Sequence, residues 1–185
     1  MKKNIEPEAI LTPIPVVMVS CGEGDNCNIT TVAWTGVISS NPPTIYISLR
    51  KSRYSYKIIK KSNEFVVNIL DERLVKEADF CGIKSGNEID KFKETNLTKE
   101  KGKIVKAPII KECPVNIECI VKEIKEMGSH DMIIGEIVAI NADEKVLNSN
   151  GSINLAKINA IAYMGPEYYV ANTKIANRGI ALNNN

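Results

Sequence analysis

The segment formed by residues 49–55 carries the side chains best suited to bind an anion. Three cations and two serine hydroxyl groups fall within it, namely Arg50, Lys51, Arg53, Ser52 and Ser55. A predicted strand ends here and a predicted helix begins, so free backbone N–H groups and the helix dipole also favour negative charge. Arg50 or Arg53 could hold a terminal phosphate by charge-assisted hydrogen bonds. A solvated basic patch would have the same composition, so both interpretations stay open.

A second candidate site is the polar part of a predicted strand. The run consists of Asn28, Ile29, Thr30 and Thr31, followed by Ala33 and Trp34. Small hydroxyl side chains leave room for a flat ligand, backbone groups could meet its polar edge, and Trp34 could cover a ring. An ordinary β-branched strand with one core tryptophan explains the same residues without a ligand.

His130 is the only histidine of the chain, and it follows Gly128 and Ser129 at the start of an apolar strand. The pKa range of histidine suits a proton donor or a phosphate ligand, whereas a histidine in a surface turn is the alternative. Three tyrosines, Tyr163, Tyr168 and Tyr169, flank a Gly-Pro pair further along. They could stack on a ring or fill a dimer seam.

The composition excludes several classes of protein. The net charge is only +2, from 24 basic and 22 acidic residues, which argues against a nucleic-acid-binding protein. No apolar run approaches the ~18 residues that span a membrane. The N-terminus lacks a signal-peptide core, so we expect a cytoplasmic protein. The five cysteines are odd in number, and their spacings fit neither a zinc site nor a redox pair. We therefore expect no metal.

The candidate residues must be positioned by a mainly β domain. Residues 14–20 and 28–34 predict a hairpin around a glycine-rich turn. Further strands are predicted at residues 44–49, 64–70, 115–122, 132–140, 158–164 and 168–170. Gly135, inside one of these strands, predicts a bulge or a close backbone approach.

Two or three short helices are predicted between the strands. Tyr54, Ile58 and Ile59 share one face of the first helix, which Ser52 or Ser55 could cap, and Asp71 could cap the second. Residues 39–43 are predicted to form a loop, and residues 83–107 an excursion over the surface. About seven strands joined by short turns favour a mostly antiparallel barrel.

The length suits a single domain over residues 1–185. We expect its core at about residues 11–170 and a C-terminal tail at residues 171–185. Residues 1–4 and 183–185 have little to bury.

Short fragments spread over residues 11–170 form an ordered set. They are Thr-Pro-Ile-Pro-Val-Val-Met-Val-Ser at 12–20, Asn-Ile-Thr-Thr-Val-Ala-Trp at 28–34, Ser-Ser-Asn-Pro-Pro at 39–43, Ser-Leu-Arg at 48–50, Arg-Tyr-Ser at 53–55, Phe-Val-Val-Asn at 65–68, Asp-Phe-Cys-Gly at 79–82, Asp-Lys-Phe at 90–92, Ser-His-Asp at 129–131 and Gly-Glu-Ile at 135–137. In this order the fragments resemble the flavin reductase-like FMN-binding split-barrel family, and most closely its flavoredoxin-like branch.

The resemblance implies an antiparallel six-stranded split barrel that forms a homodimer with FMN at the subunit seam. By that implication the isoalloxazine edge is lined by Asn28, Ile29, Thr30, Thr31, Ala33 and Trp34. The phosphate would be held by Ser48, Arg50, Arg53 and Ser55, with Lys91 and Tyr163 completing the pocket. His130 resembles the catalytic histidine that members place near the nicotinamide or the flavin. NADH-dependent members often carry Gly-Asp-His, whereas this chain has Gly-Ser-His at residues 128–130.

The resemblance and the residues together predict an FMN-binding oxidoreductase of the flavin reductase or flavoredoxin type. Its electron donor would be NAD(P)H or an electron-carrier protein. The flavin would perform the redox chemistry while the protein supplies orientation and electrostatics. A non-catalytic FMN-binding or flavin-storage module is one alternative. A small β-barrel interaction protein without a cofactor is the other.

Overall fold

The computed structural model describes residues 1–182, so the predicted end at residues 183–185 lies outside the described residues. In chain order its strands and α-helices are β1 (Ile14–Pro15), β2 (Val17–Cys21), β3 (Asn28–Val32), β4 (Thr35–Ser40), β5 (Pro43–Leu49), α1 (Tyr54–Ser62), β6 (Glu64–Ile69), α2 (Val75–Ile83), α3 (Lys91–Thr95), β7 (Lys99–Glu100), β8 (Ile109–Ile110), β9 (Val115–Glu126), β10 (Asp131–Ala142), β11 (Ile161–Met164) and β12 (Glu167–Val170). Among residues 1–182, no helix is long and apolar enough to cross a bilayer.

The main sheet has the strand order β3-β2-β6-β9-β10-β5-β4, and every neighbouring pair is antiparallel. The long strands β9 and β10, with 12 residues each, lie at its centre. The prediction of a mainly β, antiparallel split barrel is confirmed. The main sheet has seven strands, one more than the resemblance implies.

Two apolar cores lie on opposite faces of β2, because successive side chains of a strand point to opposite sides. On one face Val17 and Val19 join Ile59 of α1 and Phe65 of β6. On the other face Met18 packs in a cluster with residues of α2, α3 and β11. The helices α1 and α2 therefore cover different sides of the β2–β3 hairpin.

The β3–β4 region differs from the predicted single strand at residues 28–34. β3 ends at Val32, and Ala33 and Trp34 form a bend before the separate strand β4. The predicted loop at residues 39–43 is only a tight turn, since its first two residues end β4 and Pro43 begins β5. When a short turn joins two runs of β-branched residues, the sequence does not indicate where one strand ends and the next begins.

The predicted helices are confirmed, with one change in capping. Asp71 caps a 3-10 turn that leads into α2, and its side chain accepts a hydrogen bond from Arg73 N. The N-cap of α1 is Arg53, with no side-chain cap, so the predicted Ser52 or Ser55 cap is wrong. Ser55 is instead buried in the first turn of α1.

The predicted surface excursion at residues 83–107 is only partly exposed. It contains α3, in which Lys91 and Phe92 are buried, and Leu97 is buried after it. A short helix with one aromatic residue produces too little periodicity to be recognised in a charged segment.

Gly135 lies at a register shift between β10 and β9, as predicted. A Cβ atom at this position would lie 2.7 Å from Cζ of Phe65, so the close packing of the core requires glycine here.

A second sheet contains β1, β11 and β12 in the order β1-β11-β12. Two exposed segments of the chain flank this sheet. Residues 1–13 precede β1 and residues 171–181 follow β12, and all of these residues are exposed.

Candidate functional site

A cavity of about 270 Å³, the cationic pocket, lies at the corner between β5 and α1. It is lined by Asn28, Thr30, Arg50, Ser52, Arg53, Tyr54, Ser55, Lys84, Ser85, Gly86 and Lys91. Four of these residues are cations, and no described lining residue is acidic. The corner is closed by a hydrogen bond from Arg53 N to the Arg50 carbonyl at 3.0 Å. The pocket therefore has the charge and the donors that suit an anion.

Lys91 forms the innermost cation of the cationic pocket. The residue is only 3% exposed. Its Nζ donates to the carbonyls of Ile29 at 2.8 Å and Cys81 at 2.7 Å. An ammonium group has three donors, so one is left for a ligand. Burial lowers the pKa of Lys91, and a bound anion would favour the charged form.

Asn28 and Ser55 join β3 to α1 at the floor of the cationic pocket. Asn28 Nδ2 donates to Ser55 Oγ at 2.7 Å. A Cβ atom on Gly86 would lie 2.0 Å from Asn28 Oδ1. The loop after α2 can therefore approach this pair only because residue 86 is glycine.

A second cavity, the strand pocket, adjoins the first and has a volume of about 180 Å³. It is lined by Thr31, Val32, Ala33, Trp34, Ser48, Leu49, Arg50, Arg53 and His130. Arg50 and Arg53 line both pockets. The rings of Trp34 and His130 lie 4.6 Å apart at its edge, and Trp34 is 42% exposed. The combined cavity offers a cationic end and an end flanked by aromatic rings.

Two hydroxyl groups near the strand pocket already have roles in the fold. Thr31 Oγ1 donates to the carbonyl of Ala78 and so ties β3 to α2. Ser129 Oγ lies 2.9 Å from His130 Nδ1.

Burial, together with the charges of Arg50 and Arg53, lowers the pKa of His130. The lowered pKa favours the neutral form of the imidazole.

The structure brings the predicted site residues together, with two exceptions. The pockets include Asn28, Thr30, Thr31, Ala33, Trp34, Ser48, Arg50, Arg53, Ser55, Lys91 and His130. The side chain of Ile29 is fully buried in a core, and only its carbonyl contributes, by holding Lys91. Tyr163 lines neither pocket. It lies on β11 in the second sheet and packs edge-on against Tyr168 at 5.2 Å.

Several pocket residues were not predicted from the sequence. Lys84, Ser85 and Gly86, just after α2, line the cationic pocket together with Tyr54. A polar turn after a helix is common, and only the fold places this one opposite the β5–α1 corner.

The cysteines are free thiols, and the described residues contain no group of metal ligands. Cys21, Cys81, Cys113 and Cys119 are buried, while Cys27 is partly exposed. Burial raises the pKa of Cys21 and Cys119 to about 12 and that of Cys81 to about 11. These thiols are thus poor nucleophiles at neutral pH.

Comparisons with known proteins agree with this architecture. The flavin reductase like domain matches residues 11–165. The flavoredoxin of Desulfovibrio vulgaris (Miyazaki F) has a similar structure, with a TM-score of 0.90, 33% identity and coverage of 98% of this chain and 99% of that one. A flavoredoxin from Methanosarcina acetivorans gives a TM-score of 0.89 at 27% identity, with the same coverage.

Sequence relatives include proteins of archaea and bacteria. An uncharacterized protein of Pyrococcus abyssi is 31% identical over 166 residues, which cover 90% of this chain and 94% of that protein. A relative from Agrobacterium fabrum, named FMN reductase (NADH) RutF, is 27% identical over 113 residues, or 60% of this chain and 62% of that protein. With a family match over most of its length and flavoredoxins as close structural neighbours, the chain belongs to the flavin reductase-like split-barrel family, in its flavoredoxin branch.

Proposed function

We propose that the protein is an FMN-binding oxidoreductase that transfers electrons. The phosphate of FMN would lie in the cationic pocket and its ring in the strand pocket. One observation carries this proposal: two adjoining cavities share Arg50 and Arg53, one is lined by four cations and no described acidic residue, and the other is flanked by Trp34 and His130.

The donor set of the cationic pocket fits a phosphate group. Arg50 and Arg53 supply guanidinium donors, Ser52 supplies a hydroxyl, and Lys91 has one N–H left after bonding two carbonyls. A buried ammonium is costly unless an opposite charge accompanies it. A phosphate would supply that charge, which supports an anion as the natural occupant.

The strand pocket fits a flat ring. Ala33 and Trp34 form a bend directly after β3, and the small Ala33 lines the pocket there. Bound FMN would accept and pass on electrons. The protein would hold the ring against the β3–β4 bend, and Trp34 and His130 would limit access of water at its edge.

The electron donor would be NAD(P)H or an electron-carrier protein. The relative named FMN reductase (NADH) RutF supports a nicotinamide, whereas the flavoredoxin neighbours and the Gly-Ser-His sequence at residues 128–130 leave a carrier protein as the second candidate. His130 lines the strand pocket, where its imidazole could form a hydrogen bond with the electron donor. A flavin-storage module without a donor is the alternative function.

Anaerobic stopped-flow spectroscopy tests the donor. The FMN-loaded protein is mixed with NADH, NADPH or reduced ferredoxin, and bleaching of the flavin absorbance is followed. Fast bleaching by one donor supports the oxidoreductase, and His130→Ala should slow it while FMN affinity stays nearly unchanged. A protein that binds FMN but is bleached by none of the three would be a storage module.

We further propose that a second copy of the chain completes the site. Trp34 lines the strand pocket, and it is followed on β4 by Val37 and Ile38, which are 74% and 49% exposed. β4 is the edge strand of the main sheet. An exposed apolar edge strand beside an open ligand site is typical of a subunit interface, so FMN would lie at a homodimer seam.

The free thiols support a cytoplasmic location. All five cysteines are unpaired with one another. Unpaired thiols persist where the compartment is reducing, as in the cytoplasm.

The phosphate assignment is tested by replacing Arg50 and Arg53 with Ala. Binding of FMN should weaken by at least about tenfold, because charge-assisted hydrogen bonds to the phosphate are lost. Binding of riboflavin, which has no phosphate, should change little. Fluorescence quenching of each flavin on titration with protein measures both dissociation constants.

The matched control is Lys57→Ala together with Lys61→Ala. These lysines lie on α1 but line a different cavity. They should leave the FMN-to-riboflavin preference intact. An equal loss of affinity for both flavins in the arginine variant would contradict the phosphate assignment. A wild-type protein that binds neither flavin would contradict the proposed function.

A further inference from the structure

Asp131 is a buried carboxylate that the proposed function does not yet use. It is the first residue of β10, immediately after His130, and its side chain is fully buried. Its Oδ2 accepts a hydrogen bond from the hydroxyl of Tyr56 at 2.6 Å. Its Oδ1 accepts no hydrogen bond from the described residues, although Lys51 Nζ lies 3.7 Å away.

The contacts of Asp131 surround the β5–α1 corner. In the sheet Asp131 is the register partner of Leu49, the last residue of β5. Lys51 lies within the corner, and Tyr56 lies in the first turn of α1. Asp131 is therefore linked to the chain before, within and after the segment that carries Arg50 and Arg53.

Fold stability alone does not account for a carboxylate at this position. Burying a charge costs free energy, and apolar residues of similar volume are often neutral or stabilising in place of a buried ion pair. The negative charge does have a local use, because three cations follow one another closely in the corner. A fixed anion behind them offsets their mutual repulsion before a ligand arrives.

We infer that Asp131, through Tyr56 and Lys51, is a positioning residue that holds the β5–α1 corner in the geometry required for phosphate binding. The same contacts also fix Asp131 itself, the first residue of β10, directly after His130, which lines the strand pocket. The contacts of Asp131 thus fix the phosphate-binding residues and His130 relative to one another. This inference rests on the proposed FMN site.

The test compares FMN and riboflavin binding in Tyr56→Phe, which keeps the ring and removes only the hydroxyl. FMN affinity should fall by about tenfold, the cost of one charge-assisted hydrogen bond to the phosphate that the displaced corner no longer makes, while riboflavin affinity stays nearly constant. Asp131→Asn keeps an acceptor for Tyr56 but removes the charge, and it should lower FMN affinity without unfolding the protein. Thermal unfolding confirms that each variant is folded.

A double-mutant cycle distinguishes positioning from general weakening. If Tyr56 acts through the corner, Tyr56→Phe should have no further effect on FMN affinity once Arg50 and Arg53 are alanine. Tyr168→Phe is the matched control, because Tyr168 makes a similar hydrogen bond to Asp79 at 2.9 Å and lines neither pocket. It should leave the FMN-to-riboflavin ratio unchanged.

The outcomes separate this inference from the proposed function. A wild-type protein without preference for FMN over riboflavin would contradict both the positioning role and the proposed function. A wild-type preference that Arg50→Ala abolishes, but that Tyr56→Phe and Asp131→Asn leave unchanged, would overturn only the positioning role. A parallel loss of both flavins in these variants would assign Asp131 to fold stability alone.

Discussion

At the scale of single residues, the site depends on how charges are placed rather than on unusual side chains. Arg50 and Arg53 line both pockets and lower the pKa of His130, and in the proposed site the same two cations would bind the phosphate. Their place at a strand-to-helix junction could be predicted from the sequence, because it is a local pattern, and the structure places both in the lining of the two pockets. Lys91 has no such pattern, since its role depends on carbonyls of β3 and α2 that only the fold brings to it.

The titration of His130 tests this arrangement of charges. As the only histidine of the chain, it gives a single pair of imidazole signals in a proton NMR titration. Its pKa should lie below the ordinary 6.5, and Arg53→Ala should raise it by removing a nearby positive charge. FMN should also raise it, because the phosphate offsets the arginines. An unchanged pKa in Arg53→Ala would contradict this coupling.

The same shift has a consequence for stability. The folded pKa of His130 lies below its unfolded value, so the unfolded chain binds the proton more readily. The contribution of His130 to the free energy of unfolding is fully present above the unfolded pKa. It is lost as the pH falls from there through the folded pKa.

At the scale of elements, most strands could be predicted, whereas β4 and α3 could not. The alternation in β9 and the glycine in β10 gave correct predictions, because a half-buried strand of 12 residues repeats its pattern several times. β4 and α3 are short, and their patterns overlap those of their neighbours. Tyr163 was assigned to the site from resemblance, but β11 lies in the other sheet.

A buried carboxylate on β9 organises the loop before β8. Glu118 accepts hydrogen bonds from Asn141 Nδ2 and from three backbone N–H groups, those of Lys103, Ile104 and Val105. Burial acts to raise the pKa of Glu118, but these four donors outweigh it and lower the pKa. The ionised side chain therefore accepts the hydrogen bonds that backbone carbonyls would otherwise accept from these loop N–H groups.

Replacing Glu118 with Gln should destabilise the fold by about 1–3 kcal/mol, because an amide N–H would face backbone donors. The folded pKa lies below the ordinary 4.5, so this stabilisation is present above pH 4.5 and is lost as the pH falls through the folded pKa. Urea unfolding of both proteins at pH 7 and at acidic pH measures the difference.

Glu136→Gln is the control for this substitution. Glu136 forms a surface ion pair with Lys122 at 2.8 Å, and such pairs contribute little. If Glu118→Gln were no more destabilising than Glu136→Gln at pH 7, the carboxylate would not organise the loop.

At the scale of the whole molecule, the proposed dimer and the proposed cofactor depend on the same edge of the sheet. Val37→Lys places a charge on the exposed apolar part of β4, so we expect the protein to become monomeric. FMN affinity should fall with it, because the partner no longer covers the strand pocket. Size-exclusion chromatography with light scattering gives the mass, and flavin fluorescence gives the affinity.

Leu155→Lys is the control, since Leu155 is similarly exposed at 66% and lies outside β4. It should preserve both mass and affinity. A wild-type protein that is monomeric at micromolar concentration and still binds FMN would contradict the proposal that FMN lies at a dimer seam.

The two exposed terminal segments, residues 1–13 and 171–181, have a consequence for proteolysis. Residues 1–13 and 171–181 carry Lys2, Lys3, Lys174 and Arg178, which are cleavage points for trypsin. Digestion should trim these ends first and leave the split barrel intact. If the ends wrap around another subunit, concentrated protein will resist trimming while dilute protein will not, and a protease would then report on assembly without any label.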